Sequence, residues 1–209
     1  MKIYSYRIDH DYGLAPNPFG KYCTVAVCKP GIRRSSNLKI GDWLIGTGSK
    51  ALNRECQFDS VSRLIYAMKV SEILDLNSYW HDSRFEYKKP NMGGTLSSVF
   101  GDNFYHKDNN DNWIQSDCAH RNTDGKYNDE HKRKDINGKN ALISEVYYYF
   151  GDSAPEIPNH LKAVCHSTQG QKIVRPEELA SDFVDWLQSN FDIGMHGLPI
   201  SWSMYDKTK

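Results

Sequence analysis

The chain has 209 residues, and its 26 Lys+Arg balance 26 Asp+Glu, which excludes a strongly basic coat that tracks long nucleic acid, because phosphate affinity scales with clustered positive charge. Apolar residues at 39% and aromatics at 12% suffice for one domain whose core leans on Tyr and Trp, side chains whose polar tips need partners. No apolar run approaches the roughly 20 residues of a membrane helix, and "MKIYSYRIDHDYG" lacks the apolar core of a signal peptide, so a cytoplasmic protein without membrane attachment is expected.

In chain order, "KIYSYRI" (2–8) alternates apolar and polar residues and predicts a strand. "DHDYGLAPNPFG" (9–20) is turn chemistry, and "YCTVAVC" (22–28) predicts a second strand, closed by Pro30 and Gly31. "CKPGIRR" (28–34) and "HKRK" (131–134) are the basic clusters, and solvated loop charge is the simpler reading of both. In "NLKIGDWLIGTGSK" (37–50) a Gly-Asp turn leads into the apolar run 42–47. A polar excursion then joins it to "RLIYAMKV" (63–70). There Leu64, Tyr66, Met68 and Val70 share one face and Ile65, Ala67 and Lys69 the other, so both faces are expected to be partly buried.

"LNSYWHDSRFE" (76–86) predicts a short helix capped by Asn77 or Ser78, and "KKPNMGG" breaks it. "NFYH" and "WIQ" flank a loop of Asp and Asn, a hairpin signal within 101–116. Residues 119–140 are very polar and predict an exposed or mobile loop, whereas "ALISEVYYYFG" (141–151) predicts a strand. Pro176, followed by Glu177 and Glu178, opens a helix whose Leu179, Phe183, Trp186 and Leu187 form one core-facing stripe. The fold class expected is α+β, mainly β: a small, strongly curved sheet or barrel with peripheral helices and a C-terminal helix.

"KIGDWLIGTGS…RLIYAMKVSEIL…YWHDSRF" resembles the PUA-like barrel superfamily, including its EVE, YTH and ASCH domains. The segments "DYGLAPNPFGKYCTVAVCKPGIRR", "GDWLIGTGS", "LIYAMKV", "KKP", "GDNFYH", "WIQ" and "YYYFGDSAPEIP" are together similar to the nucleotide modification associated domain family, type two. The resemblance runs from about residue 3 to 158. It implies a PUA-like, EVE-like barrel domain over 1–158, and residues 159–209 are expected to be a helical extension packed on the same domain. It also implies an association with modified nucleotides in prokaryotic or phage genomes, without saying whether a modification is read, written or removed.

A base pocket needs flat surfaces for stacking and fixed donors and acceptors for the base edge. Trp80, Tyr105 and Trp113, with Tyr66, are the expected walls, and Asn103, Gln115 and Ser49 the expected edge readers. Asn17 sits in a rigid turn between two prolines, and Lys29, Arg33 and Arg34 offer phosphate contacts, Arg bidentately. "GTGS" (46–49) is either an anion-binding turn or a plain strand end. The pocket is expected between this turn and the "GDNFYH/NWIQ" hairpin, its partner a nucleotide or modified base, free or within DNA or RNA.

An enzyme is the alternative. Asp102 and His106, at i, i+4 on one strand face, would act as an acid–base pair for glycosidic-bond cleavage or base transfer. A scaffold domain without ligand is the third reading. The five scattered cysteines indicate reduced thiols. Cys23 and Cys28 are expected on opposite sides of one strand, and Cys118-x-His120 falls outside common zinc spacings, so no metal and no cofactor are expected.

Overall fold

The computed structural model describes residues 1–121 and 126–204. Residues 122–125 of the expected polar loop and 205–209 of the expected extension lie outside the described residues. The elements are β1 (Ile3–Ile8), β2 (Cys23–Val25), α1 (Pro30–Arg33), β3 (Trp43–Gly48), α2 (Lys50–Cys56) and β4 (Leu64–Lys69). Next come β5 (Glu72–Asp75), α3 (Leu76–His81), α4 (Leu96–Val99), β6 (Tyr105–Lys107), β7 (Trp113–Gln115) and α5 (Asp129–Asn137). The chain ends with β8 (Asn140–Ser144), β9 (Val146–Tyr149), β10 (Lys172–Ile173), α6 (Glu177–Asn190) and β11 (Gly194–Met195). The fold is α+β with sheets predominating, and no helix among the described residues is long and apolar enough to cross a membrane.

The chain forms two compact units, each discontinuous in sequence: 1–12, 38–71 and 144–204 build the first, and 13–37 with 72–143 build the second. The first holds a six-stranded sheet in the order β10-β1-β3-β4-β9-β11. β1 runs parallel to β3 from Ile3↔Trp43 to Ile8↔Gly48, while β3–β4 and β4–β9 are antiparallel. The continuous apolar run Leu64–Met68 of β4 is sealed on both faces, as a central strand requires. The ladder is open. Its outer strands β10 and β11 are two residues long, and among the described residues no pairing closes the expected barrel.

Helix α6 forms where Pro176 and two glutamates announced it, with Pro176 at the cap itself. Phe183 and Leu187 of the expected stripe are buried together with Ala180 and Val184, and Leu179 and Trp186 are half-buried. The "ALISEVYYYFG" run is not one strand: Glu145 separates β8 from β9, and the two join different sheets.

The second unit carries a three-stranded sheet, β2-β8-β5, and the hairpin β6–β7. Tyr22, Tyr79, Phe85, Phe104 and Tyr105 dominate its core. Helix α3 is capped two residues or more ahead of the expected Asn77 or Ser78, because the Asp75 carboxylate accepts from the Asn77 and Ser78 amides. Asp82 then caps a separate 3₁₀ turn over Ser83–Lys88. The expected polar loop contains α5, capped by the Asn128 side chain, which accepts from Glu130 N and His131 N.

Gly48 closes β3 against Ser60, and a Cβ there would stand 2.1 Å from the Ser60 carbonyl oxygen, a backbone atom that cannot swing aside. Gly48→Ala is therefore expected to cost about 1–3 kcal/mol, the range for overpacking, read as a lower denaturant midpoint at unchanged slope.

Candidate functional site

Ser49 and Tyr66 belong to the first unit, and the other expected site residues belong to the second. The Ser49 hydroxyl caps α2 by accepting from Leu52 N, and it donates to Asp9 Oδ1 at 2.8 Å. Gly46, Thr47 and Gly48 are strand residues, and the Gly48 amide bonds the Arg63 carbonyl. "GTGS" is thus a strand end with a helix cap and not an anion grip. Tyr66 is fully buried, its hydroxyl hydrogen-bonded to that of Tyr6.

Most polar groups expected to face a ligand are instead spent inside the second unit. Asp102, 1% exposed, accepts from Thr24 Oγ1 (2.7 Å), Tyr79 OH (2.8 Å) and Ala26 N (3.3 Å). Burial pushes its carboxyl up, although the Lys88 ammonium and these donors oppose the shift. Asp102 precedes β6 and does not lie on it, so it shares no strand with His106, and the expected acid–base pair is not assembled by strand alternation. Asn17 donates to the Phe100 carbonyl and accepts from Lys88 Nζ at 2.6 Å. Lys88 also donates to the Asn17 and Tyr22 carbonyls, and its burial lowers the ammonium to about 8. The Asn103 amide donates to the Tyr79 and Phe85 carbonyls, and Gln115 Nε2 to Cys118 Sγ and the His120 carbonyl. Their acceptor atoms, Asn103 Oδ1 and Gln115 Oε1, are buried without a hydrogen bond among the described residues.

The aromatic walls also have partners. His106 stacks on Trp80 at 4.1 Å, and Lys89 Nζ lies 4.2 Å from the same ring centroid. Both groups already cover the Trp80 ring, which is therefore not a free stacking surface for a base. Burial lowers the His106 imidazole, and His81 and Lys89 add to the effect. Trp113 packs against the core with Lys107 over its ring at 5.5 Å. Tyr105 is buried and donates to Asp135 Oδ2 at 3.3 Å.

The residues that do converge lie around α1 and α5. After β2 the backbone turns through Cys28 and Lys29, both left-handed at φ 54° and 42°, and Pro30 then starts α1. That bend takes Cys28 out of the strand expected to continue through it. Arg33, expected near phosphate, is sealed: it donates to the carbonyls of Cys28 (2.7 Å), Asn140 (2.9 Å) and Asp135 (2.6 Å). Its guanidinium occupies the space a side chain at 138 would need, since a Cβ on Gly138 would stand 2.3 Å from Arg33 Cζ.

Asp135, 3% exposed, is the hub. Its Oδ1 accepts from Cys28 N at 2.6 Å and lies 3.6 Å from Arg33 Nη2; its Oδ2 lies 3.4 Å from His120 Nε2. The His131 ring stacks on His120 at 5.2 Å. Cys28, Pro30, His120, His131, Lys134 and Asp135 line a cavity of about 160 Å³. Burial, reinforced by Asp135, pushes the Cys28 thiol up to about 12. Of this group the sequence points to Arg33 and Tyr105 for nucleotide contact, and to His120 only beside Cys118 in a metal spacing. Helix α5 was the missing link, and its signal is present: Asn128 ahead of Asp129-Glu130, with Lys132–Lys134 toward the other end, matches a capped helix and its dipole. A larger hollow in the first unit, about 530 Å³ and lined by Met1, Lys2, Lys39, Ile40, Gly41, Asp42 and Lys69, offers cations but no aromatic ring.

Because Asp102 serves three buried donors, Asp102→Ala is expected to cost about 3 kcal/mol. Asp102→Asn should cost about 1 kcal/mol, since its oxygen can keep Thr24 and Ala26 while its amide donates to Tyr79; thermal melts compare the two. Lys88 titrates near 8 in the fold and near 10.4 when unfolded, so over that window the unfolded chain binds more protons and stability rises with pH. Urea midpoints at pH 8 and 10 should show the wild type gaining on Lys88→Met.

Neither the curated proteins nor the solved structures yielded a match. A family model described as nucleotide modification associated domain 2 matches residues 1–206, continuing past Pro158, the limit of the segments that carry the sequence resemblance. The chain belongs to the nucleotide modification associated domain 2 family.

Proposed function

We propose that the protein recognises a modified nucleobase or nucleotide, and that the cavity beside α1 and α5 of the second unit receives the base or its substituent. The family ties the chain to nucleotide modification in general terms. The observation that carries the finer reading is the cavity itself, in which an imidazole pair, a carboxylate and a thiol meet the Lys134 ammonium. At about 160 Å³ it is smaller than the roughly 300–1,000 Å³ of drug-sized sites, a size for part of one heterocycle and not for a whole dinucleotide.

Recognition follows from the lining. The exposed His131 ring, parallel to His120, extends a stacking surface for a base. His120 and Asp135 offer a donor and an acceptor to a base edge, and Lys134, with the exposed Arg133 and Arg34, supplies charge for a phosphate. Lys29, flanked in sequence by the lining residues Cys28 and Pro30, is assigned to phosphate in this reading, with exposed Arg34 in place of the sealed Arg33. The reading includes PUA-like kinship for the six-stranded sheet, and a cytoplasmic reader of modified DNA, RNA or free nucleotides in a prokaryotic or phage setting.

A second reading, an enzyme acting on modified nucleotides, is favoured by one observation. A thiol, an imidazole and a carboxylate converge at Cys28, His120 and Asp135, and these replace Asp102 and His106 as the groups that would carry chemistry.

Titration with nucleoside monophosphates, unmodified and carrying 5-substituted pyrimidines or N6-substituted adenine, tests the reading. Preferential binding of a modified member is expected. His131→Ala should weaken it about ten-fold, within the roughly 1–3 kcal/mol of base–ring stacking, and Lys134→Ala should weaken it with a shallower salt dependence. No binding by any member, or affinity indifferent to both substitutions, would overturn it.

A further inference from the structure

We propose that Cys28, His120 and Asp135 form a binding site for a thiophilic divalent metal of the zinc class, with one coordination position open to the cavity. Their candidate ligand atoms, one from each residue, all lie within 4.8 Å of one another. Three groups gathered that closely need only small side-chain adjustments to meet one ion at the roughly 2.0–2.3 Å of zinc–ligand bonds. A thiol with an imidazole selects against calcium and magnesium, which take oxygen ligands, and toward the zinc end of the first-row series. The three ligands come from three separate places in the second unit, the bend after β2, the loop after β7 and helix α5, so local sequence spacing does not reveal the set.

The surroundings have the features that orient metal ligands. Asp135 is held by the Cys28 amide, the Tyr105 hydroxyl and the nearby Arg33 guanidinium, so its oxygens are directed by outer partners. The Gln115 amide fixes the His120 backbone. Cys118, the thiol first considered beside His120, is instead in the core, where it accepts from Gln115. All three proposed ligands line the 160 Å³ cavity. Three protein ligands facing a cavity leave the fourth tetrahedral position to water or an incoming ligand atom, the arrangement of catalytic and not of structural zinc sites. The site uses the same cavity as the nucleotide reading but does not depend on it.

The test uses the full chain and no nucleotide, so its outcome is separate from that of nucleotide binding. Elemental analysis of protein purified without chelator is expected to give about one zinc per chain. Chelator-treated protein titrated with cobalt(II) should develop thiolate-to-cobalt charge-transfer absorption. Cys28→Ser should lose that band while circular dichroism shows the fold retained, and Cys165→Ser, a change in the other unit, should keep it. Tyr105→Phe removes only the hydroxyl on Asp135, and it should keep the band while weakening metal affinity about 10–100-fold. A wild type without the band, or a band that survives Cys28→Ser, would overturn the site.

Discussion

The second unit depends on burying charged and amide side chains between two stretches of chain that are distant in sequence. Residues 13–37 contribute a three-residue strand and the four-residue helix α1 to it, too little backbone pairing to fix a segment by itself. Side chains do the rest. Lys88 and Asp102, from the longer stretch, bond Asn17, Tyr22, Thr24 and Ala26 of the shorter one. Arg33, from the shorter stretch, reaches back to the Asp135 and Asn140 carbonyls. Removing one partner of such a buried set leaves the other desolvated and unpaired, at a cost of several kcal/mol. These bonds are therefore obligatory for the unit.

The same constraint creates the site. To let Arg33 and Asp135 meet, the chain bends through Cys28 and Lys29 in left-handed conformation, and α5 brings Asp135 under the bend. The result places a thiol next to a carboxylate that four other groups already orient, including His120. Such a hub is pre-organised, because its rotamer is set before any ligand arrives. The stacked pair His120–His131 and the Lys134 ammonium of α5 then give the cavity a flat wall and one cation at its lining, features suited to a base and its phosphate.

What was legible in the sequence follows from the physics of each element. β1, β3 and β4 appear in their alternating or continuous apolar runs, and α6 appears in its helical stripe, because burial imposes those periods directly. The barrel did not follow, since the six-stranded ladder ends in strands only two residues long, below any periodic signal. α5 was hidden by its hydrophilicity, and its cap and charge order were the only marks it left. The buried polar site residues share one cause: an Asn, Asp or Arg reads the same in sequence whether it faces a ligand or a buried carbonyl. Asn17, Asn103 and Arg33 all look like reading groups, and all three spend donors on backbone oxygens. Cys28, His120 and Asp135 are separated by long stretches of chain, so their meeting is a property of the fold alone.

Amide chemical-shift mapping tests the central claim most directly. Nitrogen-labelled protein is titrated with a nucleoside monophosphate that carries the preferred modification. The account predicts that shifts concentrate at 28–34, at His120 and along 129–135, with Tyr66, Asn103 and the amides of β3 unmoved. Shifts gathered instead around Ser49 and Tyr66, or along the Trp80–His106 surface, would contradict it.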